Sequence, residues 1–146
     1  MKKIGLDVGE KTIGVAISDA LGMTAQGIKT IHWTEDDYSI AREALTPLIE
    51  KEMITEAVVG YPKNMNGTIG PRAEQSERFA NWLEKNFNLT VHLWDERLTT
   101  MAAERVLLDA DVSRNKRKKV VDKMAAVMIL QGFLDASQQG GMNNGT

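Results

Sequence analysis

The chain contains no cysteine, only two histidines (His32 and His92), three prolines and no long apolar run. The missing cysteines exclude disulfides, thiolate metal sites and thiol nucleophiles together, and they fit a reducing compartment. With so few imidazoles and no thiolate, zinc is a poor match, and His92 reads as a packed or surface strand residue rather than a ligand. The apolar stretch from Ala125 to Leu130 is far too short to cross a bilayer. A signal peptide is not expected either, because Asp7 interrupts the apolar segment that follows Lys2 and Lys3. The expectation is a soluble, cytoplasmic protein with no membrane partner.

What is present is ordinary for a globular domain. A length of 146 residues, with 42% hydrophobic and 26% charged, excludes a disordered or fibrous chain and suits one core that buries roughly two thirds of the unfolded surface. The net charge of −2 argues against a general nucleic-acid coat. The basic residues are nevertheless uneven. Arg114, Lys116, Arg117, Lys118 and Lys119 fall together; with those five set aside, 13 basic residues face 20 acidic ones. A basic patch on an acidic body can bind phosphates locally, although a solvated helix start would look the same.

Lys3 to Val8 and Thr12 to Ser18 alternate around Gly9-Glu10-Lys11, which predicts a hairpin with Ile4, Leu6 and Val8 on one face and Gly5 and Asp7 on the other. Ile28 to Trp33 is a weaker third strand. From Asp36 or Asp37 as cap, Ile40, Ala44, Leu45, Leu48 and Ile49 keep helical spacing. Pro47 should kink that helix, or open a second short one at Thr46-Pro47. Ala57 to Gly60 reads as a buried parallel strand, 64–71 as a loop, and Ala73, Ser76, Phe79, Ala80 and Leu83 as one helical face. Thr90 to Trp94 is the next strand. Thr99 or Thr100 can cap a helix carrying Ala102, Ala103, Val106 and Leu107, and Val120, Met124, Ala125, Met128 and Leu134 mark a final one. An antiparallel three-strand meander followed by βα crossovers gives an α/β fold with a mixed five-stranded sheet and helices packed against it. The domain is expected over 1–136, with a flexible polar tail over 137–146.

Three acids stand out. A carboxylate inside the first apolar strand, Asp7, is costly to bury without compensation, which could come from a cation or merely from the Gly9 to Thr12 turn. Asp95 and Glu96 follow a strand end, where sites in α/β sheets gather, and spacing alone does not choose between them. Asp122 lies near the start of the last helix, where it could simply complement the helix dipole. If such acids converge on one sheet edge, their oxygen donors suit Mg²⁺ or Mn²⁺.

Five blocks occur in order: Gly5-Leu6-Asp7-Val8-Gly9, Gly14-Val15-Ala16-Ile17-Ser18-Asp19, Asn64-Met65-Asn66-Gly67-Thr68, Asp95-Glu96-Arg97-Leu98-Thr99-Thr100 and Val121-Asp122-Lys123-Met124-Ala125-Ala126. From Lys3 to about Asp135 the chain resembles the YqgF family of bacterial Holliday-junction-resolvase-like nucleases, also described as pre-16S rRNA nucleases. The resemblance implies a ribonuclease H-like fold and the acidic set Asp7, Glu96 and Asp122 as catalytic and metal-holding residues, so it selects Glu96 over Asp95. It further implies divalent-dependent phosphodiester hydrolysis, most simply at the 5′ end of pre-16S rRNA, with resolution of branched DNA as the older inference.

In that reading two metal ions, Mg²⁺ or Mn²⁺, would activate a water and stabilise the leaving oxygen. Asp7 would bridge or anchor the metals, and Glu96 and Asp122 would complete the coordination. Lys63, Asn64, Asn66 and Arg72 in one loop, the cluster Arg114, Lys116, Arg117, Lys118 and Lys119, and also Lys11 and Arg97, would position phosphates. Trp33, Trp82 and Trp94 could stack on bases, though core packing is the commoner use. An actin-like ATPase is disfavoured because the chain has no second phosphate loop. A non-catalytic RNA-binding assembly factor would have no use for three acids that repel phosphate.

Overall fold

The computed structural model describes residues 1–35, 37–64, 66–96 and 124–138. Its strands are β1 (Lys3–Val8), β2 (Thr12–Ser18), β3 (Ala25–His32), β4 (Glu56–Tyr61) and β5 (Thr90–Asp95); its helices are α1 (Tyr38–Lys51), α2 (Pro71–Phe87) and α3 (124–138). The strands form one sheet in the order β3-β2-β1-β4-β5. β1, β2 and β3 pair antiparallel, whereas β4 pairs parallel to β1 and β5 parallel to β4. This is the mixed five-stranded sheet expected from the order of elements.

Alternation decides which face each residue serves. Ile4, Leu6 and Val8 of β1, Ile13, Val15 and Ile17 of β2, and Ala57 and Val59 of β4 share a core with Ala41, Leu45 and Ile49 of α1 and Phe79 and Leu83 of α2. The opposite face carries Ala16 and Val58, covered by Ala126, Ile129, Leu130 and Leu134 of α3. The sheet is therefore the middle of three layers. Asp7, between Leu6 and Val8, belongs to the α3 face. On that face a Cβ at Gly5 would stand 2.6 Å from Leu130 Cβ and 3.1 Å from the Ala126 carbonyl oxygen, so α3 lies directly on β1.

Several boundaries differ from expectation. β3 begins three residues earlier than the apolar pattern, at Ala25, because Gln26 and Lys29 sit on an edge strand whose burial is incomplete. Its start is fixed by Asp19, whose Oδ1 accepts from the Met23 and Thr24 amides at 2.7 and 3.3 Å. Those bonds hold the Asp19 carboxyl below its usual range. A register shift opposite Val15 and Ala16 leaves Ile28 as the extra residue of a bulge. Pro47 lies inside one continuous helix, α1, instead of opening a second. It is on the exposed side, where its ring disturbs no packing, and Thr46 Oγ1 donates to the Arg42 carbonyl at 2.7 Å. Asp37 is the N-cap, without a side-chain capping bond. In α2, Pro71 takes the first turn and Asn88 closes the helix in the left-handed region at φ 54°. α3 continues to 138. The helix expected after Thr99 or Thr100, the start of the last helix at Val120 and the rest of the tail lie outside the described residues.

The tryptophans serve the core. Trp33 is 5% exposed and meets Phe79 edge-on at 5.6 Å, while Trp82 stacks on Tyr38 at 5.1 Å. Trp94 packs edge-on to Phe133 at 6.4 Å. His92 accepts or donates a contact with Glu56 at 3.3 Å and lies against the Phe133 ring at 4.7 Å, a packed strand residue as its sequence context suggested. No described helix is long and apolar enough to cross a membrane.

Candidate functional site

β1, β4 and β5 run parallel, so their carboxyl ends lie along one edge of the sheet. The β1 to β4 ladder ends at Leu6 opposite Val59, and the next residue on each strand is Asp7 and Gly60. Across the other side Asp7 pairs with Gly14 of β2. The acid is thus flanked on both neighbouring strands by glycines.

β5 pairs Trp94 with Gly60 and Asp95 with Tyr61, and Glu96 follows at once. Trp94 packs beneath α3, its ring within 3.0 Å of where a Cβ of Gly132 would stand, so Glu96, two residues on, returns to the α3 face. Its placement over Gly60 is direct: a Cβ there would be 2.8 Å from Glu96 Cδ and 3.1 Å from Glu96 Cγ. Asp95 has the parity of Val91, which packs against the α1 and α2 core. Alternation therefore separates two acids that spacing left equivalent, and puts Glu96 on the face of Asp7.

Glu96 is 6% exposed and Asp7 half-buried. Two carboxylates on one face, over adjacent strands, repel unless their charge is met by donors or a cation. Hard oxygen donors of this kind fit a divalent ion such as Mg²⁺ or Mn²⁺. Asp122, the third acid expected, lies outside the described residues, and among those described no group of three or more acids or histidines gathers.

The turn after Asp7 is fastened by contacts that sequence reasoning missed. The Gly9 amide donates to the Thr12 carbonyl at 2.8 Å. The Gly9 carbonyl accepts from Trp33 Nε1 at 2.8 Å and from Gln75 Nε2 at 3.3 Å. Gln75 is only 2% exposed. No local pattern relates Gly9 to a side chain 66 residues away, whereas Gly60, an isolated glycine in an apolar strand, carries a readable sign of close approach.

Of the basic residues singled out for phosphate binding, the described ones follow these strand ends or open α2. Lys11 is exposed in the turn that follows β1, and Lys63 follows β4, its Nζ 5.5 Å from the centre of the Tyr61 ring. Arg72 is exposed in the first turn of α2. Asn64 and Asn66 bond within their loop: Asn64 Nδ2 donates to Thr68 Oγ1 at 2.9 Å, and Asn66 Oδ1 accepts from the Thr68 amide at 3.1 Å. Their observed work is to shape the loop. Tyr61 donates to Glu77 Oε1 at 2.9 Å; burial first, then that acceptor, raises its phenol above the ordinary range. Arg97, Arg114, Lys116, Arg117, Lys118 and Lys119 lie outside the described residues.

Solved structures share the fold. The chain matches Thermus thermophilus RuvC in complex with a Holliday junction substrate at TM-score 0.56 and 11% identity, covering 94% of this chain and 96% of that one. It matches the fowlpox virus Holliday junction resolvase at TM-score 0.54 and 14% identity, covering 93% and 99%. The architecture is accordingly ribonuclease H-like. Sequence relatives are far nearer. A protein of Oceanobacillus iheyensis named "Putative pre-16S rRNA nuclease" is 70% identical over 135 residues, 92% of this chain and 98% of that one. Its namesake in Bacillus subtilis is 61% identical over 138 residues, 93% and 99% of the two chains. A family model described as "RuvX: Holliday junction resolvase" matches residues 1–136, and with relatives this similar over nearly their whole length the chain belongs to the RuvX family.

Proposed function

We propose that this protein is a divalent-metal-dependent endonuclease that trims the 5′ end of pre-16S rRNA in the cytoplasm, with Asp7, Glu96 and Asp122 as its acidic set. The observation that carries the reading is the buried Glu96 carboxylate laid over Gly60, on the face and at the strand ends where Asp7 stands. A fold does not specify an activity, but acids brought to the carboxyl edge of parallel strands, in a chain whose relatives carry nuclease names, favour phosphodiester hydrolysis.

A bound Mg²⁺ or Mn²⁺ would supply Lewis-acid activation and charge neutralisation at the scissile phosphate. The residues of the chain do the rest. Asp7, held by a strand paired on both sides, presents a hard oxygen donor at a fixed place. Glu96 presents a second from a water-poor position, and Asp122 completes the set. Lys11, Lys63 and Arg72 draw the phosphate backbone to this edge without reading bases, as Arg97 and the 114–119 cluster do from their own positions in the chain.

The test is cleavage of a pre-16S rRNA 5′-leader fragment beside a four-way DNA junction, in Mg²⁺, Mn²⁺ or EDTA, by wild type and Asp7→Asn. Expected is RNA cutting that needs the metal and disappears in the variant while its melting temperature holds. Cutting of the junction alone would move the substrate to branched DNA. Equal RNA binding by both proteins without cutting would indicate an assembly factor.

A further inference from the structure

Neither the pairing of Gly60 with Trp94 nor a positive φ calls for glycine at this point of β4, yet it is the point where two parts of the site meet. A Cβ at this position would stand 2.5 Å from Ile129 Cδ1 and 2.8 Å from Glu96 Cδ. Ile129 is fully buried on the sheet-facing side of α3 and Glu96 is 6% exposed. We propose that Gly60 is a positioning residue: by presenting bare backbone it lets the Glu96 carboxylate lie on β4 beside Asp7, and so sets the spacing of the two acids for a divalent ion. This rests on the reading that the site holds such an ion.

The geometry gives the size of the effect. Ordinary carbon contacts lie at about 3.5–4.0 Å, so an added methyl drives the Glu96 carboxyl back by roughly 1 Å. Ile129 belongs to the buried cluster with Val58 and Leu130, so in the single variant both it and the acid must give way. Displacements of about 1 Å in a reacting constellation cost on the order of 100-fold in rate. Changes that reorient a metal ligand typically weaken binding by about 10–100-fold.

The experiment separates packing from positioning. Ile129→Val deletes the Cδ1 that the new methyl would strike, and leaves Glu96 as its nearest neighbour among the described residues. Mn²⁺ binding to the full chain, free of nucleic acid, is followed by electron paramagnetic resonance and by the metal-induced rise in melting temperature. The proteins compared are wild type, Asp7→Asn, Ile129→Val, Gly60→Ala and Gly60→Ala/Ile129→Val. We expect the double variant to recover the metal-free melting temperature of Ile129→Val, yet to bind Mn²⁺ about 10–100-fold more weakly, with kcat lowered and KM for RNA little changed. Mn²⁺ binding by the double variant equal to that of Ile129→Val overturns the proposal and leaves the metal reading standing. Absence of any Asp7-dependent Mn²⁺ binding in wild type overturns both.

Discussion

The double hydrogen bond to the Gly9 carbonyl should act as one unit, and its worth can be measured. Trp33→Phe removes the indole donor at 2.8 Å but keeps an aromatic ring against Tyr38 and Phe79. One lost hydrogen bond costs about 1 kcal/mol, and the smaller ring leaves a void worth about 1–2 kcal/mol. For a 146-residue chain, unfolding entropy makes each kcal/mol about 3 °C, so the expected drop is about 6–9 °C. Gln75→Met, close in volume, loses only the longer 3.3 Å bond and no longer buries an amide; its cost is about 0.5 kcal/mol. In the double variant the half-buried Gly9 carbonyl has neither donor. The two changes should therefore exceed additivity by about 1 kcal/mol, read from urea midpoints at constant m value. Additivity within about 0.5 kcal/mol, the behaviour of independent sites, would refute the idea that both side chains clamp the turn behind Asp7.

Other consequences are simpler. Pro47→Ala restores a donor inside α1 at an exposed position; the regained helix bond outweighs the lost chain stiffness, and stability should rise by about 1–2 kcal/mol in thermal melts. Burial raises the Glu56 carboxyl, but hydrogen bonds and charge from Lys3 at 3.0 Å and His92 at 3.3 Å outweigh it and hold the group below 4.5. A lowered folded value stabilises above the unfolded one, so this contribution, at most about 1 kcal/mol for so accessible a pair, should be full near neutrality and fade as pH falls below 4.5. Melting curves of wild type and Glu56→Gln should then differ at pH 6 and converge in acid; a gap that widened in acid would contradict the assignment. Lys63→Ala and Arg72→Ala should each weaken RNA binding alike across sequences and flatten the salt dependence by about 0.7 per charge for single strands, as titrations at several salt concentrations would reveal.

Much of the fold was legible because the buried strands obey strict rules. Alternation in Lys3–Val8 and Thr12–Ser18 gave both bounds of the hairpin, since a one-residue slip would turn Leu6 and Val15 out of the core. β3 was legible only in its second half, because an edge strand half open to water need not alternate. Pro47 opens no second helix; the cost of its missing donor is absorbed by the rest of α1, which buries Ala41, Leu45 and Ile49. The clamp on Gly9 was not legible at all, as nothing local distinguishes a glutamine that faces a turn from one that faces water.

The choice between Asp95 and Glu96 lay between these extremes, and it links the fold to the site. Alternation fixes that the two acids point to opposite faces, but only the register of β5 on β4 and the position of α3 say which face also holds Asp7. Once α3 is known to cover Gly5 and Gly60, the acid with the parity of Trp94 is the one that must be buried there. That is where local consistency is broken: a carboxylate takes the place of an apolar residue, and a glycine the place of a strand former. A fold bears such a violation where something else needs it. Here both occur at the carboxyl edge shared by β1, β4 and β5, so the residues that weaken the sheet as a sheet are the ones on which the proposed cation site rests.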